Sequence, residues 1–501
     1  MTKYGIGRPV LAVLVLALVV VASFAVYEIY NSSGPSPCLP YQSNGPVRSQ
    51  VANVTFGGVT EFNLPVPGRD PNAIVAAPDG SVWFAEMEGP GVAHLYPNNG
   101  TLVEYPWPGY APPISIGGYC SPQATTFGIA LWNGRIWGAD EYNNLIVGVS
   151  PNDGSVVKVN TTNGAPYPYW LSVGPDGALW FTSDNSPARL GRIEPNLSMS
   201  IIDLEGLGYD EPIQLTFVNS SLAYLATINK QENATTKACI CTGHIYSFDP
   251  TGVSSTVTPT VVGSGHTLVL PTSVAYSDGR LWVAQHDASS VISYDVASGE
   301  WTDYPTTVVP NIGVTLPLVI EAGGGEVWFN EHYANKIALL NPATETLTEY
   351  SESKTPISNY TQIQNDESIA LAPGRLWFSS ITDNYVGFVN TSYNPGFNVT
   401  TSGSDIATLG AGGSASFALK VSGSWSAQLS VNVSDSENLQ SIPKSIQIVP
   451  STSVIQPGVS PFDLGVKVTV GQSLGQGNYT IAVTVTNGDV AQIAYIFVVV
   501  T

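Results

Sequence analysis

The chain has 501 residues, of which 49 are Gly and 37 Pro, and only 11% are charged. That is too long for one ordinary domain and too rich in turn formers for a helical or coiled-coil architecture. A formal net charge of -21 with only 17 Lys plus Arg repels phosphate backbones and excludes nucleic acid as a partner.

Lys3 and Arg8 precede an apolar run from Val10 to Val26, 17 residues that just suffice for a hydrocarbon core. The positive flank predicts the N-terminus inside and everything after Tyr27 outside. Ala22-Ser23-Phe24-Ala25 also reads as a signal-peptidase site, so cleavage near Ala25 is the other outcome. Residues 1–30 are thus an anchor or signal segment, with the membrane as partner through residues 10–26. Either outcome exports the chain. Twelve Asn-x-Ser/Thr triplets and an even number of cysteines, Cys38, Cys120, Cys239 and Cys241, agree with an oxidising, glycosylating compartment. Residues 31–54 are rich in Ser, Pro and Asn and read as a linker.

One phrase then recurs, clearest as Val327-Trp328-Phe329-Asn330-Glu331-His332-Tyr333-Ala334-Asn335-Lys336-Ile337. Its anchors are Trp83, Trp137, Trp180, Tyr224, Trp282, Trp328 and Trp377, spaced by 54, 43, 44, 58, 46 and 49 residues. Periods of this size with four short strand patterns each predict a seven-bladed β-propeller over residues 55–393. In the first repeat the strands fall at 73–76, 81–85, 92–96 and 101–105. The Trp sits mid-sheet, where a large ring fills the space between blades. Residues 58–64 read as a fourth, outer strand with no preceding three, and the Trp377 repeat lacks its fourth. Pairing these two ends closes the ring.

From residue 394 the Trp phrase stops. Alternating runs at 414–421, 426–433, 462–470, 479–485 and 491–500 predict an immunoglobulin-like β-sandwich over 394–501.

The repeat resembles that of the virginiamycin B (streptogramin B) lyase family over residues 58–390. Its carriers are Gly174-Pro175-Asp176-Gly177-Ala178-Leu179-Trp180-Phe181-Thr182, Leu190-Gly191-Arg192-Ile193 and the Trp328 phrase. The resemblance implies a propeller and, for activity, opening of a cyclic ester by elimination. In that chemistry a His base takes the α-proton and Mg²⁺ steadies the enolate. The family's histidines stand at the entrance of inner strands in a Pro-His-x-Ile context. The matching positions here are Asn72, Phe127, Tyr169, Thr272, Leu318 and Glu367, with Ile213 in the fourth repeat, and none is His.

Comparison between repeats supplies other candidates. The third position after the Trp is Glu86, Asp140, Gln285 or Glu331, a repeated polar group that reads as a brace for the next turn. The following position varies and includes His286 and His332, with Glu141 at the same place. Together with Asp184, Asp70, Asn72, Tyr169, Trp170 and Glu367 these should share one face around the channel, as ligand-binding groups. His286 and His332 are the catalytic candidates. With Glu331 they are also the metal-ligand candidates, for Mg²⁺ or Ca²⁺. His94, His244 and His266 read as structural or solvated. Cys120 is expected to bond one of Cys239 and Cys241, and Cys38 the other. Two functions stand: a surface binding or scaffold module for a small molecule, glycan or neighbouring protein, or a metal-dependent lyase or lactone hydrolase. No Gly-x-Ser-x-Gly lies near the face to support acyl-enzyme chemistry.

Overall fold

The computed structural model describes residues 45–501 apart from 67–68, 87–90, 108–113, 117–118, 122–126, 230, 232–240, 254, 308–313, 353–365, 382–383 and 436–444. The expected anchor lies outside these residues, and no helix among the described residues is long and apolar enough to cross a membrane. The described chain is all-β apart from one 3-10 turn, His286–Ala288.

Each copy of the repeated phrase is the second strand of its own antiparallel sheet. These second strands are Val82–Glu86, Arg135–Asp140, Leu179–Ser183, Leu222–Asn229, Arg280–Gln285, Glu326–Glu331 and Arg375–Ser380. The first, inner strands are Pro71–Ala76, Ile129–Trp132, Pro168–Val173, Glu211–Asn219, Pro271–Ser277, Pro317–Gly323 and Asp366–Ala372. We call the seven sheets blades 1 to 7. The arrangement is β-propeller-like, and the six repeated Trp side chains are all buried, as is Tyr224. Burial of such rings between neighbouring sheets is the main apolar gain holding the blades side by side.

Local chemistry explains the recurring turns. Gly80 follows Pro78-Asp79 at φ 82°, and a Cβ there would meet nothing, so backbone conformation rather than space selects glycine. Asn144, Asn335 and Asn384 close the turns between second and third strands at φ 54°, 55° and 55°. Asn is the side-chain-bearing residue best suited to that left-handed position. Five Asn-x-Ser/Thr triplets have a structural explanation of their own. Asn99, Asn160, Asn196, Asn219 and Asn390 each accept the backbone N–H two residues on, forming Asx turns.

Four inner strands begin in the same way. Asp70, Tyr167, Leu270 and Leu316 take φ values of 48°, 56°, 46° and 55°, and each is followed by Pro. Proline at the first strand residue needs no ladder partner for the N–H it lacks. A register shift follows at Pro71, Pro168, Pro271 and Pro317, before regular pairing resumes. Hydroxyls then tie blade to blade. Ser172 Oγ donates to Leu215 O at 2.6 Å, Thr216 Oγ1 to Val274 O at 2.8 Å and Thr272 Oγ1 to Leu318 O at 2.7 Å. Ser379 Oγ donates to Asn72 O, linking blade 7 to blade 1.

Val59–Asn63 pairs antiparallel with Tyr385–Asn390, the third strand of blade 7. The stretch expected to be linker up to residue 54 departs from that expectation. Val47–Gln50 pairs along the outer strand of blade 1, and Asn53–Phe56 adds outside Val59–Asn63. Both are edge strands with alternating half-buried and exposed residues, so they carry little apolar signal.

Residues after Asn394 form two sheets around a common core that includes Trp425, Leu464, Val483 and Ile496. One of these sheets is not separate from the propeller. The last strand, Val490–Val500, pairs antiparallel with Thr346–Ser351, the outer strand of blade 6. Blade 6 therefore continues into the C-terminal sheet, and Tyr495 Oη donates to Pro305 O in blade 5 at 2.9 Å.

Candidate functional site

Two groups of residues have the placement a site requires: the loops joining second to third strands, and the channel lined by inner strands.

In the loops, His286 and His332 come together. Their ring centroids are 5.7 Å apart, tilted by 44°. The backbone fixes both. His286 N–H donates to Leu270 O and His332 N–H to Leu316 O, each the left-handed residue before an inner strand. Asp184 N–H makes the equivalent bond to Tyr167 O. The variable position is thus held by a repeated device while its side chain is free to differ. His286 Nδ1 lies 2.7 Å from Asp287 Oδ1, a neighbour that fixes the ring's orientation.

Glu331 does not join them, contrary to its expected part in a metal site or a turn brace. It is fully buried at the end of its strand, paired across the ladder with Lys336. Lys336 Nζ is 3.6 Å from Glu331 Oε2, too far for a hydrogen bond, and 2.7 Å from Glu349 Oε2. Burial, followed by the charge of Glu349, pushes the Glu331 carboxyl well above the ordinary range. A side chain enclosed between two strands has no route to a loop ligand. Among the described residues no three His, Cys, Asp or Glu side chains converge as a metal site. Among the described residues the turn-brace expectation is met at Asp140, where Asn143 donates from both backbone and side chain at 3.2 and 3.0 Å. Gln285 instead accepts from Val269 N–H, and Glu86 lies 4.0 Å from Arg69.

The other expected residues lie in the loops and on the inner strands. Asp70 is half-buried and its N–H donates to Asn384 Oδ1. Asn72 is buried at the start of its inner strand. Glu141 is half-buried in a turn, and Asp184 is half-buried. Glu367 lies within Asp366–Ala372, with its side chain outside the described residues. Tyr169 stacks on Phe127 at 4.7 Å, so two positions of the Pro-His-x-Ile pattern form an aromatic pair instead. Trp170 packs with the apolar cluster of blades 6 and 7 that contains Val319 and Ile369.

That reach of Trp170 leads to the channel. A cavity of about 210 Å³ lies among the inner strands, lined by Ile74, Phe127, Ile129, Trp170, Ile369 and their neighbours. Among the described residues its one ionisable lining residue is Glu321, which carries no signal in the sequence pattern. Glu321 touches solvent-accessible space inside the channel, yet protein surrounds it, and burial pushes its carboxyl up to about 7. Its recorded hydrogen bond is a long one, from Leu371 N–H at 3.4 Å.

The remaining histidines are packed or braced. His94 is buried, stacked on Trp83 at 3.9 Å and 2.6 Å from Ser81 Oγ. His244 Nδ1 lies 2.6 Å from Asp210, whose carboxylate also accepts from Thr227 and Tyr246. His266 stacks on Trp301. Of the cysteines, only Cys241 has a described side chain, and it is disulfide-bonded. The expected pairing of Cys38, Cys120 and Cys239 lies outside the described residues.

Seven such sheets with a lined channel define a β-propeller-like protein whose repeats resemble those of virginiamycin B lyase. Comparison with solved structures supports the resemblance at the level of fold. A catalytically inactive virginiamycin B lyase from Staphylococcus aureus with quinupristin matches with a TM-score of 0.50 and 19% identity, over 66% of this chain and 98% of that one. A streptogramin B lyase matches with a TM-score of 0.48 and 21% identity, over 69% and 97%. No protein-family model and no curated protein matches the chain.

Proposed function

We propose that the protein is an exported, membrane-anchored surface protein whose seven-bladed propeller is a binding or scaffold module. In this reading the N-terminal outer strand closes the ring, and an immunoglobulin-like sandwich braces it. The observation that carries the binding function is the make-up of the inner-strand entrances. Where the resembling lyases are expected to carry histidines, this chain has Asn72, Phe127, Tyr169, Ile213, Thr272, Leu318 and Glu367, a largely apolar and aromatic set. Such groups suit capture of a ligand, with few candidates for proton transfer. Export is supported by the nine described Asn-x-Ser/Thr asparagines, all exposed, whereas Asn72, Asn330 and Asn335, outside such triplets, are buried.

A second function has one observation in its favour: the His286–His332 pair. These rings could serve a lyase or lactone hydrolase in which Mg²⁺ or Ca²⁺ supplies Lewis acidity. The test is turnover. The full chain is incubated with a streptogramin B and a panel of lactones, with and without Mg²⁺, beside a His286→Ala, His332→Ala double variant. The binding module predicts no ring opening in any arm. Opening that the double variant abolishes would overturn it.

A further inference from the structure

The residue paired across from the repeated aromatic can be compared in all seven blades. It is Val75 opposite Trp83, Ala130 opposite Trp137, Ser172 opposite Trp180, Thr216 opposite Tyr224, Ala275 opposite Trp282 and Ala370 opposite Trp377. In blade 6 it is Glu321 opposite Trp328. Six small or uncharged residues and one carboxylate occupy one structural position. Ser172 and Thr216 use it to donate to the next blade, a task their hydroxyls perform at 2.6 and 2.8 Å. Glu321 has no proton to donate once ionised, and the bond it receives from blade 7 is long, at 3.4 Å. Bracing alone therefore does not account for a carboxylate here, where its charge is costly to desolvate.

The surroundings say what would offset that cost. Leu371, near the end of its inner strand, lines the cavity and is 37% exposed, so the space is apolar on that side. The cavity also carries the aromatic rings of Phe127 and Trp170 and the hydroxyl-bearing Ser368, with no Lys, Arg or His among the described lining residues. A single anionic group beside π-faces in an apolar enclosure is complementary to a cation with an apolar body. At about 210 Å³ the space falls below the roughly 300–1,000 Å³ of pockets for drug-sized ligands, which limits the occupant to a small molecule.

We propose that the propeller channel binds a small organic ammonium ion, with Glu321 as its counter-ion and Trp170 and Phe127 as its aromatic walls. The proposal rests on the propeller being a binding module and names the ligand class of its channel. Glu321 is the ionisable group among the described lining residues, and burial holds its carboxyl near 7 against the opposing hydrogen bond from Leu371 N–H, so binding is expected to require mildly alkaline conditions.

The experiment compares three probes of nearly equal shape on the full chain by titration calorimetry: benzylammonium, benzyl alcohol and benzoate. At about pH 8, benzylammonium is expected to bind at least tenfold tighter than the alcohol, with benzoate excluded, and to weaken as pH falls toward 5. Glu321→Gln keeps an acceptor for Leu371 N–H and should lose roughly that tenfold preference. If that variant folds poorly, the probe series on the unaltered protein still decides. Equal binding of the alcohol or of benzoate overturns the ammonium assignment while leaving a binding channel in place. No binding by any probe overturns the channel site. Neither result touches the turnover test, which bears on the binding module itself.

Discussion

Lys336 Nζ donates to Glu349 Oε2 at 2.7 Å, and neither side chain reaches solvent. Thr307 adds its hydroxyl and backbone N–H to the same carboxylate, and Glu331 lies on the other side of the ammonium. Blade 1 repeats the plan with another cation. Arg69 Nε is 2.8 Å from Glu104 and 4.0 Å from Glu86, the residues matching Glu349 and Glu331. Blade 5 solves it without a cation: Gln285 replaces one acid, and burial pushes the other, Asp303, up to about 6. The buried acidic position is therefore a structural feature, neutralised differently in blades 1, 5 and 6.

Removing the cation from blade 6 should be severe. Lys336→Met leaves Glu349 buried without its counter-charge, and loss of one partner of a buried pair costs about 3–5 kcal/mol. Urea unfolding of the variant should show a matching fall in midpoint. A loss below about 1 kcal/mol would mean that water or a shifted side chain neutralises Glu349 instead.

Glu331→Gln should behave in the opposite sense. The folded-state pKa of Glu331 is raised, so the folded protein holds a proton that the unfolded chain releases above the ordinary value of 4.5. Its contribution is fully present below that pH and is lost as pH rises through the folded value. The variant should therefore lose less stability between mildly acidic and mildly alkaline pH than the parent. Parallel thermal melts across that range measure it; identical slopes would place the ionised form inside the fold.

What the sequence disclosed follows from periodicity. The Trp phrase is readable because the same sheet position needs the same large ring. Residues 58–64 are readable as an outer strand because Thr60-Glu61-Phe62 echoes Val103-Glu104-Tyr105. His286 and His332 stand out because they vary where the backbone repeats. Glu321 does not, since its peculiarity appears only once strand register places it opposite Trp328. The bond between Thr346–Ser351 and Val490–Val500 is equally silent, because edge pairing is made by backbone groups that every residue carries. Glu331 was misplaced for a related reason: the loop and the blade interior begin one residue apart, and alternation alone decides which side chain goes where.

His94 should act as an acid-labile element of blade 1. Burial lowers its pKa from 6.5 to about 4, so the folded state holds it neutral. Its contribution is present above 6.5 and is lost as pH falls toward 4. In an NMR titration its ring resonances should stay fixed until the pH approaches that lower value. His94→Phe keeps the stacking surface on Trp83 and should flatten the acid limb of the stability profile. A ring that titrates near 6.5 would show that the pocket admits water.

The C-terminal sheets should prove inseparable from the propeller. Val490–Val500 covers the outer edge of blade 6, and Ile493 and Tyr495 share a core with Leu347, Leu340 and Tyr304. A fragment ending at residue 393 would bare both that edge and these side chains. An open strand edge beside apolar surface is a template for self-association. The fragment is expected to elute as oligomers in size-exclusion chromatography and to melt well below the full chain, whereas Ser351→Pro in the full chain, which removes the N–H that donates to Asp489 O, should weaken the joint without removing the domain. Proline there deletes one N–H of the joint and strains the ladder, which a central strand does not accommodate. A fragment that stays monomeric with an unchanged melting temperature would reduce the C-terminal sheets to an independent appendage.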